Sequence, residues 1–227
     1  MLMEKRFQEI LRILEEQGTV SVQDLTESLD ASEATIRRDL SQLAQMGKLK
    51  KIYGGAASLE TGYQTREIRV EERQELYVEE KKQIAKYAAS LIEPGDFVYV
   101  DAGSSTEYLV EYIEERDASY VTNSMSHALK LAGRGMKVSI LGGNVKGTTE
   151  AVVGADAMET LRRYHFTRGF WGADGIRKKE GCTTPEMEEA AVKRLSMKQT
   201  RECYVLCDGS KFGKIAQVTF AELADVT

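Results

Sequence analysis

Proline is nearly absent: two occur in 227 residues, so no proline-rich linker separates the parts of the chain. Cysteine is almost as scarce. Cys182, Cys203 and Cys207 are too few and too unevenly spaced for a disulfide framework. Cys203 and Cys207 lie four apart in an apparent strand and share a face, where packing explains them better than zinc. With only His127 and His165 to add, no metal site and no cofactor are expected. No run of about 18 apolar residues offers a membrane span, and the opening MLMEKRFQEI lacks a signal-peptide apolar region. A soluble cytoplasmic protein without a membrane partner is expected. The net charge of −5 excludes a surface that grips nucleic acid everywhere, but not a local basic patch. Apolar residues make up 42%, enough for a proper core and against general disorder.

The first sixty residues carry three short helical patterns. FQEILRILEEQG places Phe7, Ile10, Leu11 and Leu14 on one face and stops at Gly18. SVQDLTESLD supplies Val22, Leu25 and Leu29 behind Ser21 as N-cap. After a tight turn, ASEATIRRDLSQLAQMG buries Ile36, Leu40 and Leu43, with Ser32 as N-cap and Gly47 as the stop. This spacing predicts a helix-turn-helix.

The outward face of the third helix carries Ser32, Glu33, Thr35, Arg37 and Arg38 in its first two turns, where a recognition helix meets base edges. Arginine reads guanine with two donors, and a threonine methyl meets a thymine methyl. GKLKKIYGG follows, with Lys48, Lys50 and Lys51. From Ser32 to Tyr53 five basic residues stand against two acidic ones, in a chain that is negative overall. A solvated face is the plain alternative. A basic hairpin directly after a recognition helix favours a wing on phosphates. SEATIRRDLSQLAQMGKLKKIYGGA closely resembles the N-terminal signature of the DeoR family of bacterial transcriptional regulators. The resemblance implies a winged helix-turn-helix over residues 1–58 that binds double-stranded operator DNA.

A polar, mixed-charge stretch over 59–75 reads as a linker. From 76 to 227 strands and helices alternate: DFVYVD, STEYLVEYIEE, ASYVTN, SMSHALKLAGR, MKVSILGG, and later RGFWGADG, a helix from about Glu186 to Gln199, and ECYVLCD. Such alternation predicts an α/β domain with a Rossmann-like, mostly parallel sheet flanked by helices. Ligands on such sheets sit beyond the strand carboxyl ends. Here those ends are polar or glycine-rich: DAGSST, TN, LGG, GADG and CDGSK. Each alone reads as a turn; together they describe a cleft.

This half is also similar to DeoR-type effector domains, which resemble ribose-5-phosphate isomerases and bind phosphorylated sugars. The resemblance rests on DAGSST, TN, LGG, GADGI and DGSKFGK. It implies phosphate contact at Gly103, Ser104, Ser105 and Thr106, and sugar-hydroxyl contact at Asp101, Asn123 and Asp174. Lys211 takes a charge-pairing role, and Gly142 and Gly143 let the backbone approach the ligand. GCTTPEMEEA resembles the matching segment of fructose repressors, which respond to fructose 1-phosphate. It implies that Thr183, Thr184 and Glu186 border the variable end of the sugar. Family members typically continue beyond the position of Thr227 with a strand and a helix, so a truncation at that end is an expectation too.

The rival is a sugar-phosphate isomerase-like enzyme with an accessory DNA-binding domain. Isomerisation needs a base that shuttles a proton between adjacent carbons and a donor for the enediolate oxygen. Those isomerases place two carboxylates side by side in a G-A-D-E type segment, whereas GADGI keeps Asp174 and follows it with glycine. Glu186, Glu188 and Glu189 stand at a helix start, where acids are favoured anyway. A regulator without enzymatic activity is expected, binding DNA as a homodimer or homotetramer, since half-sites repeat by whole turns.

Overall fold

The computed structural model describes residues 3–58 and 70–227, and the chain divides into two compact units, Met1–Tyr63 and Gln64–Thr227. Most of the expected linker, 59–69, lies outside the described residues.

The first unit runs α1 (Met3–Gln17), β1 (Thr19–Ser21), α2 (Val22–Leu29), α3 (Glu33–Gln45), β2 (Leu49–Ile52) and β3 (Gly55–Ser58). Ser21 closes a capping box on α2: its hydroxyl accepts the Asp24 N–H at 3.0 Å, while the Asp24 carboxylate accepts the Ser21 N–H at 3.3 Å. Asp30, in the left-handed region at φ 46°, ends α2 and turns the chain toward α3. Ser32 caps α3 by accepting the Thr35 N–H at 3.3 Å. Ile10, Leu14, Leu25, Ile36, Leu40 and Leu43 are fully buried between the helices. The three strands form one antiparallel sheet in the order β1-β3-β2. The wing is therefore tied by β3 to the short strand that follows α1.

The second unit opens with α4 (Val70–Gln74) and α5 (Val78–Ser90). Then come β4 (Phe97–Val100), α6 (Ser104–Tyr112), β5 (Ser119–Thr122), α7 (Met125–Gly133) and β6 (Lys137–Ile140). A hairpin of β7 (Asn144–Val145) and β8 (Val152–Val153) leads to α8 (Ala155–Leu161) and β9 (Phe166–Gly172). The last elements are β10 (Gly175–Arg177), β11 (Gly181–Thr184), α9 (Met187–Lys198), β12 (Thr200–Leu206) and β13 (Val218–Ala221). Five strands form a parallel sheet in the order β12-β9-β4-β5-β6. β10, β11 and β13 form a separate antiparallel sheet.

Alternation along β4 divides the core. Val98 and Val100 pack toward one side with Leu109, Val110, Ala85 and Phe170, and Tyr99 toward the other with Trp171, Val192 and Phe166. Gly169 keeps room for the indole, because a Cβ there would lie 2.1 Å from a Trp171 ring atom. The chain leaves β4 in one direction toward β5 and β6 and returns on the other side as β9 and β12. The switch point thus falls between β4 and β9, where a crevice opens beyond the strand ends.

One expectation changes: the stretch 70–74, inside the expected linker, is the helix α4, because its side chains find partners within the second unit. The region between β6 and β9, for which the sequence offered no reading, holds a hairpin and a helix. Among the described residues no helix is long and apolar enough to cross a membrane.

Candidate functional site

In the first unit, Glu33, Arg37, Arg38, Lys48, Lys50 and Lys51 are all exposed. Lys51 on the wing donates to Ser41 Oγ on α3 at 2.9 Å, so helix face and wing form one surface. Arg37 reaches back one turn to Glu33 at 2.5 Å, an exposed pair that holds little energy. Thr35 and Ser32 are turned toward each other, their hydroxyls 2.9 Å apart, as part of the cap. Beneath this surface Asp39, only 2% exposed, receives Arg6 from α1 at 2.5 and 3.1 Å, which locks α3 against α1. The side of α3 facing α1 thus uses its acid for packing, and the side facing solvent keeps its two arginines. Tyr53 stands fully exposed at the wing tip.

In the second unit a polar cleft lies at the switch point. Gly103, Ser104 and Ser105 line it at the start of α6, Gly172, Ala173 and Asp174 at the end of β9, and Lys211 after β12. Arg73, Glu189 and Lys193 complete the wall. The first N–H groups of α6 have no intrahelical partner and carry the positive end of its dipole. Beside them stand three cationic side chains. Hydroxyls, helix N-terminus and cations together have the chemistry that suits an anion, and the carboxylates of Asp174 and Glu189 line the same cleft.

The buried charges around the cleft are matched in sequence. Lys193 donates to the Asp101 carboxylate and, at 3.2 Å, to the Gly172 carbonyl. Burial pushes the Asp101 carboxyl up, opposed by the Lys193 charge and the Gly172 N–H. Burial also works against the Glu189 charge. Lys193, the Thr149 hydroxyl at 2.7 Å and Lys146 at 2.9 Å outweigh it and hold that carboxyl below its usual range. Lys81, 2% exposed, donates to the Arg73 carbonyl and to Ser104 Oγ at 3.1 Å. Burial pushes its ammonium down to about 8, Asp208 opposing and Lys211 and Arg73 assisting.

Gly103, Ser104, Ser105, Asp174 and Lys211 therefore meet in one cleft. The other residues expected to touch the ligand are placed differently. Asp101 is buried at 1% exposure with its carboxylate on Lys193, so it orients a cation. Thr106 is fully buried and donates to the carbonyls of Asp101 and Gly103, at 2.6 and 2.9 Å, shaping the loop from within. Asn123 accepts the Ala102 N–H at 2.8 Å and bridges two strand ends. Thr183 donates to the Gly175 carbonyl at 3.0 Å and accepts the Ala216 N–H at 2.9 Å. Thr184 donates to Asp174 at 3.1 Å and stands behind it. Glu186 lies 3.8 Å from Lys146, away from the cleft lining. Gly142 and Gly143 do not line the cleft either. Gly143 has φ 143°, and a Cβ there would lie 2.4 Å from the Val153 carbonyl oxygen, so it serves the β7–β8 hairpin.

Arg73 and Lys81 had no signal in a mixed-charge stretch, and Lys193 only its place one turn after Glu189. Among the described residues no cluster of His, Cys, Asp or Glu could hold a metal.

A profile described as the DeoR-like helix-turn-helix domain matches residues 6–62, and one described as the DeoR C terminal sensor domain matches 77–227. The chain is 38% identical over 232 residues to FruR of Bacillus subtilis, described as an uncharacterized HTH-type transcriptional regulator, covering 100% of this chain and 90% of that protein. It is 33% identical to a lactose phosphotransferase system repressor of Staphylococcus epidermidis, over 97% of this chain and 88% of that one. The repressor of the same description from Streptococcus mutans is 32% identical, over 99% and 90%. Ribose 5-phosphate isomerase A of Methanocaldococcus jannaschii superposes with a TM-score of 0.45 at 15% identity, over 60% of this chain and 54% of that one. These relatives are described as a transcriptional regulator and as repressors. With a DeoR-like helix-turn-helix at one end and a DeoR sensor domain at the other, the chain belongs to the DeoR family of transcriptional regulators.

Proposed function

We propose that this regulator represses a sugar-utilisation operon and that a phosphorylated sugar controls its grip on the operator, with fructose 1-phosphate the first effector to test. One observation carries the reading: Ser104 and Ser105 at the α6 N-terminus share a cleft with Arg73, Lys193 and Lys211, and with the acceptors Asp174 and Glu189. The cations and helix start suit a phosphate, and the carboxylates suit sugar hydroxyls. The relatives described as lactose phosphotransferase system repressors support a sugar-linked ligand class.

Arg37, Arg38, Lys48, Lys50 and Lys51 are the proposed contacts to double-stranded operator DNA in the cytoplasm. The protein works as a homodimer or homotetramer, so that two recognition helices reach successive major grooves. Effector and operator are then linked: a ligand that weakens DNA binding is weakened by DNA in equal measure, typically by about 1–3 kcal/mol.

A thermal-shift screen of the full chain tests the ligand class. A true effector at a hundred times its Kd stabilises the sensor unit by about 2.7 kcal/mol. Fructose 1-phosphate is expected to raise the melting temperature while fructose leaves it unchanged. Equal shifts from both, or no shift from any phosphorylated sugar, would contradict the reading.

A further inference from the structure

One wall of the cleft comes from outside the sensor domain as the family defines it. Arg73 lies between the two matched segments, 6–62 and 77–227, on the short helix α4. Its Nη1 donates to Asp174 at 2.9 Å, and Asp174 also holds Thr184 at 3.1 Å. Its Nε is buried and has no hydrogen-bond partner among the described residues. A buried donor without an acceptor costs free energy that an incoming acceptor recovers. An ion pair satisfied on one side and open on the other is suited to share its guanidinium with a ligand.

The backbone around Arg73 is bound to the proposed phosphate loop. Lys81 bridges the Arg73 carbonyl and Ser104 Oγ. The Tyr108 hydroxyl donates to the Gln74 carbonyl at 3.1 Å, and the Gln74 side chain donates to Glu107. Ser104, Glu107 and Tyr108 all belong to α6, whose first turn lines the cleft. At its other end α4 is held by the Val70 N–H on the Thr148 carbonyl at 3.1 Å. In sequence, α4 is the first described element after the stretch 59–69 that leads from the DNA-binding unit.

We infer that Arg73 binds the anionic group of the effector, and that through this contact occupancy of the cleft fixes α4, where the chain from the DNA-binding unit enters the sensor unit. The inference rests on the proposed sensor function. An anion between the α6 N-terminus and the guanidinium occupies the idle Nε and braces α4 against α6. With the cleft empty, α4 is held by Asp174, by the Gln74 side chain on Glu107 and by its backbone bonds. The ligand thereby acts on the segment through which the covalent chain carries a change of order to the operator-reading domain.

The test uses the full chain, with fructose 1-phosphate and inorganic phosphate as probes, calorimetry for affinity and amide hydrogen exchange for order. In the wild type, fructose 1-phosphate is expected to slow exchange over both 103–106 and 70–76. Arg73→Gln is expected to bind about ten- to a hundredfold more weakly, as befits removal of a charged hydrogen bond. At saturation it should protect 103–106 while leaving 70–76 as in the free protein. Arg73→Lys, which keeps the charge but not the fork, should fall between. Wild-type affinity in Arg73→Gln overturns the inference alone, as does protection of 103–106 without any change over 70–76 in the wild type. A wild type that binds neither probe contradicts the sensor function itself and this inference with it.

Discussion

Lys193, on α9, ends on the carboxylate of Asp101, 92 residues earlier at the end of β4, and both groups are buried. The pair joins the strand that leads into the proposed phosphate loop to the helix that supplies Glu189. Removing one partner from such a pair leaves an uncompensated buried charge, at a cost of roughly 3–5 kcal/mol. Lys193→Met is expected to destabilise the sensor unit by that amount in urea unfolding followed by the fluorescence of Trp171, the single tryptophan. Adding Asp101→Asn should restore part of that stability. A single variant as stable as wild type would show that the pair holds nothing together.

Lys81 is expected to make effector affinity and stability respond to pH in opposite directions. A phosphomonoester has shed its second proton by about pH 7, so its own charge is constant above that. Burial puts the Lys81 ammonium at about 8 in the folded protein, against 10.5 ordinarily. Sugar-phosphate affinity should therefore fall as pH rises through 8. Below 8 folded and unfolded chains both carry the proton, and the folded one bears the cost of its burial. Between about 8 and 10.5 the unfolded chain binds more protons, so this group's contribution makes stability rise with pH. Calorimetric titrations at pH 7 and 9 check the first trend, and Lys81→Met should abolish it. An unchanged affinity at pH 9 would show that the Lys81 charge, behind Ser104, does not act on the ligand.

Each phosphate that a DNA-binding surface ceases to neutralise reduces the salt slope of binding by about 0.9. Arg37→Ala with Arg38→Ala is expected to lower affinity for a selected operator and to flatten the slope of log K against log salt. Ser32→Ala, which removes the α3 cap, should instead cost about 1 kcal/mol of stability in the first unit. An unchanged slope in the double variant would place the DNA elsewhere.

Gly143 gives a sharp contrast between a structural and a ligand role. With φ 143° and the Val153 carbonyl 2.4 Å from any Cβ, Gly143→Ala strains the β7–β8 hairpin. The melting temperature should drop, while sugar-phosphate affinity measured well below it stays within about twofold of wild type. Weaker affinity at unchanged stability would restore the ligand-approach role.

Helix ends, the parallel sheet and the polar strand ends were legible because each has a local cause. Ser21 and Ser32 cap, Gly18 and Gly47 stop, and apolar runs alternate with helical stripes. The division of labour among the strand-end residues was not. Asp101, Thr106 and Asn123 are polar residues at strand ends, just as Ser104 and Ser105 are, but whether a hydroxyl or carboxylate faces a ligand or its own loop depends on burial and on distant partners. Arg73 was hidden for the same reason. Nothing in VEERQE marks one arginine as a cleft residue until Asp174, 101 positions later, stands beside it.

A phosphorylated sugar in this cleft is proposed to govern operator binding. The direct measurement is fluorescence anisotropy of the full chain on a duplex selected from a random library, titrated with fructose 1-phosphate, fructose and inorganic phosphate. The phosphorylated sugar is expected to shift the operator Kd by roughly 5–150-fold. Ser105→Ala with Lys211→Ala should need far more of it for the same shift. An operator complex indifferent to every phosphorylated sugar, or a double variant that responds as the wild type does, would contradict the account.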